Sequence, residues 1–320
     1  MSRWSLKRKL LVGGTILLVL IAIAVGLGVG LTRNSGGGDN GGDNGGDNNG
    51  GGSFPPNATN PVNATYWKPE NGTSWQIVLQ YGLNDTSYDV DVYDIDLFDN
   101  NATVVNGLHN EGRKVLCYFS AGSYENWRPD KSQFHSSDLG KTLDGWPNER
   151  WLNINSTNVR NIMLERMDMA KSMGCDGVDP DNVDGYDNDN GLGLTSNDSI
   201  NYMNFLADEA HKRNMSIGLK NAGEIVESVL PKMQWSVNEQ CVQYDECDTF
   251  MPFIDNFKPV FHIEYPNSAP NTNTVEKNKI CDANQAQGFS TVIKQMALTN
   301  WVEECPNDWD AETGDYGDNN

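Results

Sequence analysis

Residues 177 to 186 read Gly-Val-Asp-Pro-Asp-Asn-Val-Asp-Gly-Tyr, placing three acids and an amide directly behind a short apolar approach. A strand can begin such a segment, but an apolar core cannot take its end. Side chains alternate faces along a strand, so Asp179 and Asp181 point to the same side. Two carboxylates that close are costly unless they bind a cation or share a proton. Paired carboxylates at a strand end are what acid/base chemistry at a sugar carbon requires. One carboxylic acid protonates the departing oxygen, and a second carboxylate attacks the anomeric carbon or activates a water. The second acid of interest is Glu239, within Asn238-Glu-Gln-Cys241. Alone it reads as a solvated loop acid. Cys241 and Cys247 beside it suit a small disulfide loop that fixes the chain there, and together with Asp181 it reads as the partner carboxylate.

These residues need elements to carry them. Short β-branched segments recur at Gln76–Tyr81, Val90–Asp96, Lys114–Ser120, Gly177–Asp179, Ser216–Asn221, Met233–Glu239, Pro259–Tyr265 and Ser290–Lys294. Apolar residues at three- and four-residue spacing mark helices over Thr103–Glu111, Thr157–Met173 and Ser199–Arg213, with a shorter one over Ala222–Leu230. Eight strands interleaved with helices give an α/β fold with a parallel sheet, open or closed into a TIM-type (β/α)8 barrel, and length favours the barrel. In a barrel the active site gathers at the C-terminal strand ends. Asp181 and Glu239 then end the fourth and sixth strands and face each other across the pocket. Tyr81, Asp96, Tyr118, Asp179, Asn182, Asp184, Lys220, Asn221, Glu264 and Tyr265 fall at or beside strand ends and are the expected substrate-binding residues. Lys220 reads most simply as neutralising the acidic cluster. Trp127, Trp146 and Trp151 are candidate stacking platforms for sugar faces.

Other chemistries fit poorly. The four histidines (109, 135, 211, 262) are scattered, so no metal site is expected. No Gly-x-Ser-x-Gly, P-loop or dinucleotide fingerprint occurs in the globular part, and no cofactor is expected. The 179–184 segment lacks the glycine and terminal glutamate of a calcium loop. A net charge of −21, from 44 acids and 23 bases, argues against a nucleic-acid partner and suits either solubility or a polycationic ligand.

The first 56 residues are of another kind. Residues 10–31 form an uncharged apolar run of roughly the length that spans a bilayer. Arg3, Lys7, Arg8 and Lys9 precede it, so residues 1–9 are expected to stay cytoplasmic. A cleavable signal peptide is the competing reading; the run is longer than an ordinary signal core and no small-x-small site clearly ends it. Residues 32–56, rich in Gly, Asp and Asn, have nothing to bury and read as a flexible, disordered linker. The globular domain is expected over 57–306, followed by an acidic tail over 307–320. Sequons begin at Asn57, Asn63, Asn71, Asn84, Asn101, Asn155, Asn197 and Asn214. With an even cysteine count they point to an oxidising, extracytoplasmic location. Six cysteines allow fifteen pairings; the expected set is Cys117–Cys175, Cys241–Cys247 and Cys281–Cys305.

Several motifs together resemble glycoside hydrolase family 114, the fungal endo-α-1,4-polygalactosaminidases related to spherulin-4-like proteins. They are Trp75-Gln-Ile-Val-Leu-Gln-Tyr81, Val115-Leu-Cys-Tyr-Phe-Ser-Ala-Gly-Ser-Tyr-Glu125, Gly177-Val-Asp-Pro-Asp-Asn-Val-Asp184, Gly218-Leu-Lys-Asn221 and Asn238-Glu-Gln-Cys241, within a similarity spanning Trp67 to Pro306. The resemblance implies a (β/α)8 barrel that cleaves α-1,4-linked galactosamine polymers such as galactosaminogalactan, with the acidic pair on Asp181 and Glu239. By analogy with other α-retaining barrel enzymes, Asp181 is the nucleophile and Glu239 the acid/base; the anomeric outcome stays open. A deacetylated galactosamine polymer is cationic, and Asp179, Asp184, Asp96 or Glu264 are candidates to pair with its ammonium groups. The alternative is a non-catalytic cell-wall or spore-coat polysaccharide-binding protein, and a third reading is an enzyme for a different α-glycan. The expected form is a monomer on the plasma membrane, single-pass type II, with its domain on the cell-wall side or released as a secreted form.

Overall fold

The computed structural model describes residues 66–306 and the backbone of 309–310 and 315–316. The expected cytoplasmic tail, anchor and linker lie outside the described residues, as do Asn57, Asn63 and most of the acidic tail. Among the described residues no helix is long and apolar enough to cross a membrane.

All eight β-branched segments form strands. In chain order the elements are β1 (Trp75–Val78), β2 (Val92–Asp96) and β3 (Lys114–Ser120), then an insertion of β4 (Ser123–Glu125), β5 (Leu139–Leu143) and β6 (Trp146–Leu152), then β7 (Gly177–Asp181), β8 (Ser216–Lys220), β9 (Trp235–Glu239), β10 (Val260–Glu264) and β11 (Ser290–Lys294). The sheet runs β1-β2-β3-β7-β8-β9-β10-β11, all parallel, with an antiparallel strand β12 (Val302–Glu304) added to β11. No ladder joins β11 back to β1 among the described residues. Side chains bridge that seam instead. The Trp75 indole donates to the Ser290 carbonyl at 2.8 Å, Ser290 Oγ to the Thr73 carbonyl at 2.7 Å, and Lys294 Nζ to Gln76 Oε1 at 2.6 Å. Burial without a carboxylate partner brings Lys294 down to about 7. The result is a nearly closed α/β barrel.

Alternation along the strands makes two cores. Trp75, Ile77, Val92, Leu116, Trp235, Val237, Phe261, Ile263 and Val292 pack inside the barrel, while Tyr93, Ile95, Val115, Phe119 and Val178 pack outward under the helices. Trp235 fills so much of the barrel floor that its neighbours must be glycine. A Cβ at Gly218 would sit 2.0 Å from Trp235 Nε1, and one at Gly177 would sit 2.5 Å from Cη2.

Helices follow β2, the insertion, β7 and β10, the last over Thr274–Cys281. Asn101 caps Ala102–Asn110 by accepting from two backbone N–H groups. Thr157–Met173 ends at Gly174, whose φ of 94° only glycine adopts freely. Ser196–Lys212 opens on a Thr195/Asp198 capping box, three residues ahead of the expected Ser199 because the cap is Thr195. After β8 and β9 only short turns form, Val226–Val229, Cys241–Tyr244 and Met251–Asp255 among them, and no helix lies between β1 and β2. The eight-helix expectation is therefore met only in part.

The three disulfides are Cys117–Cys175, Cys241–Cys247 and Cys281–Cys305. The first ties β3 to the turn before β7, and the second closes the chain just after β9. Of the sequons within the described region, Asn84, Asn101, Asn155, Asn197 and Asn214 are exposed. Asn71 is buried, its amide nitrogen donating to the Ile254 carbonyl.

Candidate active site

Parallel register brings the acids together. Ser120 lies opposite Asp181, and Tyr118 opposite Asp179, so the inward side chains at the ends of β3 and β7 share one rim of the barrel. Lys220, ending β8, projects between them and Glu239, which ends β9. Its Nζ lies 3.3 Å from Asp181 Oδ1 and 2.9 Å from Glu239 Oε2, so those two oxygens are no more than about 6 Å apart. The Asp181 and Glu239 side chains keep 17% and 25% exposure against 3% for Lys220. A ligand can therefore reach both carboxylates, while the ammonium sits beneath them.

Each carboxylate is held by further donors. Tyr118 donates to Asp181 Oδ2 at 2.8 Å, and the Asn182 backbone N–H to Oδ1 at 2.7 Å. Tyr265 donates to Glu239 Oε1 at 2.6 Å and Asn221 to Oε2 at 2.9 Å, while Asn221 Oδ1 accepts from the Glu239 N–H. Both amide residues follow strand ends in the left-handed region, Asn182 at φ 61° and Asn221 at φ 50°, where asparagine is the best tolerated residue after glycine. That turn lets one side chain reach back to the strand-end acid.

The electrostatics follow from this geometry. Burial pushes Glu239 up, but Lys220, Tyr265 and Asn221 outweigh it and hold the carboxyl at about 2. Burial pulls Lys220 down, yet Asp181, Glu239 and Asp179 raise it above the ordinary lysine range. Burial and the neighbouring acids raise Tyr118 and Tyr265, so both stay phenolic donors. Lys220 is therefore a cation and Glu239 a carboxylate.

The remaining expected residues divide sharply. Asp179 is fully buried below Lys220 against Asp94 of β2. Burial raises both: Asp94 goes well above the ordinary carboxylate range with Asp179 beside it, and Asp179 goes to about 7, with Lys220 pulling it down and Asp181 and Glu239 pushing it up. Asp96 is taken by Arg128, at 2.9 and 2.5 Å, and by the N–H groups of Phe98 and Asp99. Glu264 accepts from the N–H groups of Val242 and Gln243 and contacts His262 Nε2 at 3.0 Å, so it holds the turn after Glu239. Tyr81 packs in the loop after β1, where its hydroxyl accepts from the Asn300 N–H. Asp184 opens the turn Gly185–Asp187 beyond β7. Of the tryptophans, Trp127 and Trp146 are exposed on the insertion, whereas Trp151 is buried against Gly185.

Three participants went unread in the sequence. Asp94 shares the inward face with Val92 and Asp96, and that alternation was the signal for it. Ser123 and Glu149 come from the inserted sheet, where nothing in the residue pattern pointed to the site. Ser123 Oγ donates to Glu149 Oε2 at 2.6 Å, and Ser120 and Asn182 complete the link back to Asp181. Beyond Tyr265 a cleft of about 470 Å³ opens between Gln240, Gln243, Glu276 and Gln295. Cys241, Cys247 and His262 cluster at metal-ligand distance, but both sulfurs are in the disulfide, so the trio does not fit a metal.

Residues 56–310 match the model of glycoside-hydrolase family GH114. The crystal structure of Aspergillus fumigatus Ega3 in complex with galactosamine is similar at 64% identity, covering 75% of this chain and 97% of that one, with a TM-score of 0.73. The glycoside hydrolase domain of PelA from Pseudomonas aeruginosa shares the fold alone, at 11% identity over 71% of this chain and 97% of that one, with a TM-score of 0.54. No curated protein matches the chain.

Proposed function

The chain belongs to glycoside-hydrolase family GH114, and from that premise we propose that this glycoside hydrolase cuts α-1,4-linked galactosamine polymers in endo fashion, with Asp181 and Glu239 as its reacting carboxylates. The observation that carries the reading is the pair itself: two accessible acids at alternate strand ends, bridged by one buried lysine. The two oxygens that Lys220 bridges lie no more than about 6 Å apart, which is compatible with the ~5–5.5 Å carboxyl spacing of retaining enzymes. The galactosamine bound to the 64% identical Ega3 supports the sugar. The cleft beyond Tyr265 gives a polymer room to continue past the cutting point, which supports the endo mode.

In this mechanism Asp181 attacks the anomeric carbon while Glu239 protonates the leaving oxygen. Glu239 then takes a proton from the water that cleaves the glycosyl ester. Since Glu239 is ionised before substrate binds, its acid role requires Lys220 to turn towards Asp181 as substrate enters, which loosens its hold on Glu239 and lets that carboxylate take up a proton from solvent. Loss of the Asp181 charge in the ester returns Lys220 to Glu239, which is then the carboxylate the second step needs. We place the enzyme outside the cytoplasm, held to the membrane through residues 10–31.

The test is reducing-end release from galactosamine oligomers by the protein from Ser53 onward. Asp181→Asn and Glu239→Gln are each expected to lower kcat by at least about a thousandfold while leaving the protein folded and polymer binding intact. Activity surviving both changes would remove the assignment. A wild-type protein that binds polymer without releasing reducing ends would favour a wall-binding role.

A further inference from the structure

The acids around Asp181 are nearly all spoken for. Asp96 and Glu125 share Arg128, with Glu125 Oε1 2.9 Å from its Nη2. Glu239 and Asp181 share Lys220, whose charge also acts on Asp179 beneath it. Glu149 of β6 is the exception. It is 8% exposed, its Oε2 is held by Ser123, and no lysine, arginine or histidine pairs with it among the described residues. Its other oxygen has no hydrogen bond there.

Glu149 is nonetheless built into the site. Ser123 N–H donates to Ser120 Oγ at 3.1 Å, the two hydroxyls meet at 2.6 Å, and the Asn182 amide donates to both at 3.0 and 3.3 Å. Asn182 in turn gives its N–H to Asp181. Gly122 closes the link, since a Cβ there would sit 1.7 Å from the Asn182 carbonyl. The inserted sheet thus has a fixed position relative to Asp181, and it brings one carboxyl group without a cation.

We propose that Glu149 is the specificity-determining residue that receives the ammonium group of the sugar, setting amino sugar apart from N-acetylated or neutral sugar. The inference rests on the galactosamine reading above. A buried carboxylate lacking a cation is costly, and such a group either keeps its proton or waits for a positive ligand. Burial raises Glu149 to about 8 against the Ser123 hydrogen bond, with the charges of Glu125 and Asp181 adding to the rise and the unpaired, more distant Arg128 opposing it. At pH 7 the empty site therefore holds it mostly protonated. An arriving ammonium favours the ionised form and expels that proton. The acetylated nitrogen is neutral and gains nothing from the exchange.

The experiment is calorimetric titration of galactosamine oligomers into the protein from Ser53 onward at pH 7, in buffers of differing ionisation enthalpy, for wild type and Glu149→Gln. Wild type should release close to one proton per site, and Glu149→Gln should release none and bind at least about tenfold more weakly, equal to ~1.4 kcal/mol. Glu149→Asp should recover part of the affinity. Glu149→Gln should bind N-acetylated oligomers as wild type does. Unchanged galactosamine affinity or unchanged proton release in Glu149→Gln overturns the role of Glu149 and leaves the galactosamine reading standing. Proton release by wild type needs no variant to fold, and its absence also sinks the proposal. A wild type that binds no galactosamine oligomer brings down both.

Discussion

At the scale of single residues, the site turns on Lys220. It is the cation that lets two carboxylates sit no more than about 6 Å apart in a buried rim. Removing it with the near-isosteric Lys220→Met leaves the two acids facing each other. A nearby cation favours the charged form, so its loss raises the apparent pKa of Glu239 from about 2, and the pair then holds a proton more tightly. The limb of the kcat/KM profile that reports ionisation of the pair is expected to move to higher pH by at least about one unit, with kcat down at least about tenfold. An unshifted profile with reduced kcat would make Lys220 a packing residue only. Asp181, Glu239 and Lys220 were legible in the sequence because each ends a strand whose apolar run stops abruptly. Asp96 and Glu264 looked equally good by that rule. Their partners, Arg128 and the turn at Val242, lie far away or on irregular backbone, and no spacing reveals them.

At the scale of elements, the barrel strands were readable and the inserted sheet was not. A strand buried on both faces is a near-continuous hydrophobic run, as in Lys114-Val-Leu-Cys-Tyr-Phe-Ser120. The strand Trp146-Pro-Asn-Glu-Arg-Trp-Leu152 has a proline, an amide and two charges, and it pairs antiparallel with β4 in regular register and with β5 through an irregular one. Its polarity reads as loop, and so Glu149 escaped notice. The same element logic explains Gly218, which an ordinary strand scale disfavours. Its hydrogen is all that fits under the Trp235 ring, with a Cβ due 2.0 Å from Nε1. Gly218→Val is expected to cost about 3 kcal/mol by overpacking, read as a lowered midpoint in urea. Gly218→Val combined with Trp235→Leu should recover part of that loss, because the second change empties the space the first one fills. A double mutant as unstable as the sum of the two would break the argument.

At the scale of the whole molecule, the charge of −21 and the proposed substrate meet. A polymer with an ammonium on each sugar is drawn to an acidic surface over a Debye length, about 30 Å at 0.01 M salt and about 3 Å at 1 M. Long-range attraction acts on encounter, so salt should reduce kcat/KM while kcat at saturation changes little. The contact at Glu149 is different in kind, being short, buried and weakly screened. Raising salt from about 0.01 M to about 1 M is therefore expected to lower kcat/KM on deacetylated polymer by at least about tenfold, in wild type and Glu149→Gln alike. The gap between the two proteins should persist at high salt, because surface charge and buried carboxyl contribute independently. The measurement is a salt series of initial rates for both proteins on the same polymer. A kcat/KM indifferent to salt would mean that the acidic surface serves solubility alone, and a gap that closes with salt would place the ammonium contact at the surface instead of beside Asp181.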